Sequence, residues 1–212
     1  MLFRSPPGAN DLQLFQDGPE REAAWNVHES FAKRRYDWDG PAVVEVVEQG
    51  PVRAVLRLRR SRGGSRVEQD IVLWRDYGCI DFVTTVHWQE RQVLLKAAFP
   101  VEVRSPRAAY EVQFGAVERP THTNTSWDQE KFEVPAQRWA DLSEAGYGVS
   151  LLNDCKYGYD VRGGVLRLTL LRGAEWPDPQ ADVGRHEMTY ALYPHAGDWR
   201  TAGTVERAAE LN

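Results

Sequence analysis

Residues 52–60, VRAVLRLRR, alternate so regularly that they leave little choice of local structure. Val52, Ala54, Leu56 and Leu58 fall on one side of an extended chain, with Arg53, Arg57 and Arg59 on the other. Successive side chains of a strand point to opposite faces, so this pattern belongs to a half-buried strand with one wet face. SRGGS at 61–65 can close a hairpin. RVEQDIVLW at 66–74 then returns with Val67, Ile71 and Leu73 on one side, and DFVTTVHW at 81–88 groups Phe82, Val86 and Trp88. LLKAAFPVEV, YEVQFGAVERP, GVSLLN, VLRLTLLR and MTYALYPH continue the series. A sheet with one apolar face must bury it against another, so recurrent strands joined by short Gly/Pro/Asp turns predict a sandwich or barrel. Helical signals are sparse. PAQRWADLSEAG at 135–146 offers a turn or two between a proline and Gly146, and TVERAAELN can start a helix near the end. With no internal repeat and no low-complexity linker, the expectation is one all-β domain over residues 1–212.

A chain of 212 residues is long enough to bury a sizeable core. Its basic residues are 22 arginines and only four lysines, Lys33, Lys96, Lys131 and Lys156, yet its formal net charge is −5. The arginines are dispersed along alternating strands rather than clustered, which argues against non-specific nucleic-acid binding. No run approaches the ~18 apolar residues of a membrane helix, and MLFRSPPGAND lacks the apolar core of a signal peptide. Two cysteines, Cys79 and Cys155, are too few for a disulfide framework, so a reducing cytoplasm is the expected compartment.

The sequence holds no GxSxG elbow, Walker loop, HExxH or paired CxxC, and its five histidines are scattered singly. No catalytic residue and no metal ligand is assigned. Two polar segments draw attention instead. RPTHTNTSWDQEKFEV (119–134) gathers Arg119, His122, Asn124, Trp127, Asp128 and Glu130, and EWPDPQADVGRHEM (175–188) carries Asp178, Asp182 and His186 along with two prolines and Gly184. Planar polar side chains beside an aromatic ring are what a sugar site needs. The same residues also satisfy backbone groups in turns, and tryptophans also fill the space between sheets. A third stretch, LLNDCKYGYD (151–160), sets a lysine and two tyrosines in a tight corner.

Taken in order, ERPTHTNTSWDQEKFEVPAQRWADLSEAGYGVSLLNDCKYGYDVRGGVLRLTLLR and PDPQADVGRHEMTYALYPHAGDW closely resemble the C-terminal β-region of glycoside hydrolase family 38 α-mannosidases, of the cytosolic and bacterial type. NDLQLFQDGP with AAWNV, GPVRAVLRLRR, QDIVLW and LLKAAFPVEV fit the same family in order, so the resemblance spans almost the whole chain. LLNDCKYG and YALYPH are its specific signatures. The resemblance implies a large sandwich of the galactose-mutarotase-like (supersandwich) kind that packs on a separate catalytic domain. Family 38 enzymes cleave α-mannosides with retention, through a covalent intermediate on an aspartate, at a zinc ion. The zinc site and the nucleophile belong to an N-terminal α/β domain that nothing in this sequence resembles.

On that resemblance Asn153, Asp154, Lys156 and Tyr157 would form a corner facing the catalytic cleft or the domain interface, and Asp178, Asp182 and His186 would lie in a second such loop. Distant relatives carry an arginine after the aspartate of this corner. Here Cys155 follows Asp154, which leaves a charged contact to Lys156, whose single ammonium cannot copy a bidentate guanidinium. The partners implied are the α-mannosidase catalytic domain and a mannose-containing oligosaccharide, with no nucleic acid and no membrane. Two other functions remain open: a free-standing carbohydrate-binding sandwich that uses Trp127, Trp139, Trp176 and Trp199 as platforms, or a piece that self-associates through an apolar face.

Overall fold

The computed structural model describes residues 8–18, 23–28 and 31–212; the opening residues 1–7, read above for a signal peptide, lie outside it. The chain runs through β1 (Asp11–Gln16), a short 3-10 turn (Phe31–Lys33), β2 (Arg35–Tyr36), β3 (Val43–Gln49), β4 (Arg53–Arg62), β5 (Ser65–Trp74), β6 (Ile80–Trp88) and β7 (Val93–Pro100). It continues with β8 (Arg107–Val112), β9 (Gly115–Pro120), α1 (Ser126–Gln129), β10 (Val134–Pro135), β11 (Trp139–Glu144) and β12 (Tyr147–Asn153). The last elements are β13 (Gly158–Arg162), β14 (Val165–Leu171), β15 (Gly184–His195) and α2 (Thr204–Leu211). These strands form two sheets, one of six strands in the order β10-β13-β14-β7-β1-β2 and one of nine in the order β3-β4-β5-β6-β15-β12-β11-β8-β9. The expected all-β sandwich with short helices is what the chain forms.

Most of the strand readings hold, although β4 starts at Arg53 and leaves Val52 exposed outside it. SRGGS closes the β4–β5 hairpin, with Arg62 opposite Ser65. Phe82, Val86 and Trp88 all point inward and are buried. YEVQFGAVERP is not one strand but the β8–β9 hairpin, turned at Phe114, whose positive φ leaves its ring in solvent. The helical turns expected over 135–146 do not form. In β11, Ala140 and Leu142 face the core while Trp139 and Asp141 face the opposite side, and all four are buried. Two-sided burial hides the period-2 signal, and packing overrides a weak propensity. The terminal helix does form, and it packs on the outer face of the large sheet. There Ala208 and Leu211 join Cys79, Trp139, Leu152 and Ala191 in a second small core.

The main core lies between the sheets. Leu12, Leu14, Leu95, Ala97 and Phe99 from the six-stranded sheet meet Phe82, Val86, Trp88, Leu151 and Tyr190 from the nine-stranded one. Gln69 is fully buried among them, donating to Thr84 and to the Tyr190 hydroxyl at 2.7 and 2.6 Å. Among the described residues no helix is long and apolar enough to cross a membrane.

Candidate functional site

Of the connections that cross from sheet to sheet, β12–β13 and β14–β15 lie together at one end of the sandwich. β12 ends with Asn153 opposite Tyr190 of β15, and β13 first meets β14 at Tyr159, opposite Leu168. The corner 154–157 therefore carries the chain from the large sheet to the small one. The loop 172–183 carries it back, from the end of β14 to the start of β15.

Asn153 builds the corner. Its side-chain oxygen accepts from the backbone N–H of Cys155 at 2.9 Å and from that of Lys156. Its amide donates to the Gln137 carbonyl at 3.1 Å and to the buried Tyr159 hydroxyl. At 1% exposure, with both polar atoms engaged, Asn153 points inward, not toward a ligand or a partner. This corrects the sequence expectation, and the reason is general: an asparagine at a strand end completes the turn's backbone bonds before anything else. Asp154 is exposed and accepts from the Thr189 N–H at 2.8 Å, which ties the corner to β15. Tyr157 stands in solvent, and Lys156 is half-buried; neither makes a side-chain hydrogen bond among the described residues. Partial desolvation, then the neighbouring Asp154 carboxylate, pushes the Cys155 thiol up to about 11 although the residue is exposed, which disfavours the nucleophilic thiolate.

In the returning loop, Asp182 accepts from the N–H groups of Arg172 and Gly173 at 3.1 and 2.7 Å. Asp178 caps its own turn through the Gln180 N–H at 2.9 Å. His186 Nε2 lies 2.8 Å from the Asp182 carbonyl oxygen, a contact that needs its proton on Nε2. Asp182 and His186 thus shape the loop, while Asp178 is exposed. Of the proposed aromatic platforms, Trp139 is 1% exposed and under Trp199, with ring centroids 4.7 Å apart, so it cannot present a face to a sugar. Trp127 and Trp176 are exposed, the latter tilted against Trp25.

Sequence reasoning missed a charged cluster beside the corner, on the outer face of the six-stranded sheet. Lys96 of β7 is wholly buried, pairing with Glu133 and, at 2.8 Å, with Asp160. Asp160 also takes Arg167 at 2.8 Å, and Glu133 accepts from Thr169 at 2.6 Å. Desolvation is the largest influence on the Lys96 ammonium and lowers its pKa. Asp160 and Glu133 together outweigh it, so the pKa is raised and the lysine stays charged. A Cβ at Gly158 would sit 2.6 Å from a Glu133 carboxylate oxygen, so the corner's glycine is what lets Glu133 approach. The legible signal was a lone lysine inside the apolar run LLKAAFPVEV, since a buried ammonium must find carboxylates.

A retaining glycosidase needs two carboxyl groups ~5 Å apart with access to substrate. The two that this fold brings onto one lysine, Glu133 and Asp160, are committed to Lys96, Arg167 and Thr169. A second cluster combines Asp141, His195 and Ser150, yet Asp141 sits between the other two, accepting from Ser150 at 2.8 Å and lying 2.7 Å from His195. A nucleophilic triad requires the histidine in the middle and an accessible hydroxyl, whereas all three residues are buried. Among the described residues no group of three or more His, Cys, Asp or Glu is placed to hold a metal ion. The zinc that the resemblance implies therefore has no donor set among them.

Comparison with known proteins supplies the frame for this end of the molecule. The description "Glycosyl hydrolases family 38 C-terminal domain" matches residues 4–180. The chain belongs to that family. Among its family 38 relatives, the human protein "Alpha-mannosidase 2C1" is 48% identical over 96% of the chain, and the "Alpha-mannosidase" of Saccharomyces cerevisiae is 39% identical over 99%. In both cases the match covers 20% of the relative, so the chain spans about a fifth of the length of these curated relatives. The crystal structure of an α-mannosidase from Enterococcus faecalis V583 superposes with a TM-score of 0.75 at 15% identity, covering 95% of this chain and 27% of that one. At that identity the superposition speaks for the fold.

Proposed function

We propose that residues 1–212 act as one accessory C-terminal domain of an α-mannosidase, completing a cleft whose catalytic groups and zinc are supplied by other polypeptide. The observation that carries this reading is the pairing of 48% identity over nearly the whole chain with a match to only a fifth of the relative. The exposed Asp154 and Tyr157 and the half-buried Lys156 face the cleft or its rim, and Asn153 holds them there from behind. Asp178 extends the same end, with Asp182 and His186 supporting its loop. The substrate is a mannose-containing oligosaccharide, with Asp154 and Lys156 offering charged hydrogen bonds to hydroxyls and Tyr157 an apolar ring face. Two free thiols, one of them exposed, favour a reducing, cytoplasmic setting.

Hydrolysis of an aryl α-mannoside tests it. The chain alone is expected to give no turnover above the blank; metal-dependent turnover by the 212-residue chain overturns the reading. With the catalytic polypeptide supplied, Lys156→Ala and Tyr157→Ala raise KM more than they lower kcat.

The exposed pair Trp25 and Trp176, with ring centroids 5.4 Å apart, favours a second reading as a sugar-binding sandwich. Tryptophan fluorescence that stays flat through a titration with mannose and manno-oligosaccharides at millimolar concentration removes it.

A further inference from the structure

The nine-stranded sheet is wider than the six-stranded one that covers it. On the inner face, residues directly opposite each other in the ladder share a side, which puts Val44 beside Leu58 and Val46 beside Leu56. Leu56 lies beside Ile71, and Ala54 beside Leu73. Leu58 and Ile71 still pack against the main core. Beyond them the cover ends, because β2, the last strand of the small sheet, is two residues long. Val44, Val46 and Leu73 are left 57%, 64% and 44% exposed on the face that elsewhere forms the core. This overhang carries no charged side chain in the rows from Val44 through Leu73. Of the five arginines of β4, Arg53, Arg57 and Arg59 point to the other face, where they pair with Glu48, Asp70, Glu68 and Glu45, while Arg60 and Arg62 lie beyond the strip, over Trp38 and Tyr36. A charge-free apolar strip is how the centre of an interface is built.

We infer that the overhanging inner face of β3, β4 and β5 is a docking surface for the rest of the α-mannosidase polypeptide. This inference rests on the reading given under Proposed function. The occupant follows from length: each relative carries about four fifths of its chain outside the matched region, which is ample polypeptide to cover the strip. A second copy of this chain fits less well. Edge-to-edge pairing along β3 meets the irregularity between Val46 and Glu48 and the Arg53–Glu48 ion pair. The overhang is distinct from the 154–157 corner, so the domain would meet its partner at two separate places.

Hydrogen exchange of the 212-residue chain, alone and with the catalytic polypeptide of the same α-mannosidase supplied, tests this. Peptides over 43–49 and 71–74 are expected to exchange at least tenfold more slowly when that polypeptide is present. Val44→Lys with Val46→Lys is expected to weaken the association at least tenfold without lowering the thermal midpoint of the isolated chain, since both residues are exposed. Slow exchange at 43–49 in the isolated chain that grows with its concentration assigns the strip to a second copy and overturns the inference. Protection of 154–157 without protection of 43–49 also overturns it, while leaving the proposed function standing. Absence of any association defeats both.

Discussion

Two buried polar clusters sit on opposite outer faces of the sandwich and are built from different chemistry. On the small sheet, Lys96 is held by Glu133 and Asp160, with Arg167 outside, so formal charges are matched inside a dry site. On the large sheet, Asp141 gathers hydroxyls from Ser143 and Ser150 and the His195 ring, and Ser150 contacts Thr204 at 2.8 Å at the start of α2. The first cluster fixes where one sheet hands the chain to the other. The second fastens a terminal helix onto a finished sheet. Charge pairing is strong but all-or-none, because losing one partner strands a buried ion. A hydroxyl network loses strength by single bonds.

The largest break is Lys96→Met, which leaves two buried carboxylates with one fewer cation. A loss of about 3–5 kcal/mol is expected from urea unfolding. The raised Lys96 pKa adds a pH signature. A group whose folded pKa is raised contributes stability that is fully present below its unfolded value and is lost as pH rises through the folded one. The native chain should therefore keep this contribution at neutral pH and lose it only above about pH 10.4. Lys96→Met should lack that alkaline loss, and urea midpoints taken across the range check it.

Next comes His195→Phe, which removes one partner of buried Asp141 and should cost about 1.5–3 kcal/mol. The effect should be local: α2 loosens, and the Cys79 thiol beneath it becomes reactive. Thiol labelling in a Cys155→Ser background reads this directly, and unchanged protection of Cys79 would break the contrast between the clusters.

Gly158→Ala should cost about 1 kcal/mol, the low end of overpacking, since the Glu133 carboxylate can turn slightly away. Combined with Lys96→Met, its cost should shrink, because Glu133 is then no longer pinned; a double-mutant cycle measures that. Smallest of all, Lys156→Ala and Tyr157→Ala should change stability by no more than about 0.5 kcal/mol, as expected of surface groups. A large loss at either position would make the corner's exposed residues structural.

Strands such as 52–60 and 66–74 were legible because one face is wet and the other dry. β11 was not, since Trp139 and Asp141 are buried on one side while Ala140 and Leu142 are buried on the other. The corner was legible as a turn, but its division of labour was not: Asn153 and Tyr157 are both polar on paper, and only the fold turns one in and one out. The Lys96 cluster joins residues from β7, β13 and the segment before β10, separations of 37 and 64 positions that no local pattern records.

The ladder irregularity in β3 has a further bearing on how this molecule survives in a crowded cell. A flat valine-rich strand at a sheet margin is a template for open-ended stacking into fibrils. Between Val46 and Glu48 the register with β4 slips, so an incoming strand cannot follow the whole margin in step. Glu45 and Glu48 add like charges that would meet across any parallel stack of copies. The margin thus resists polymerisation even with its valines uncovered.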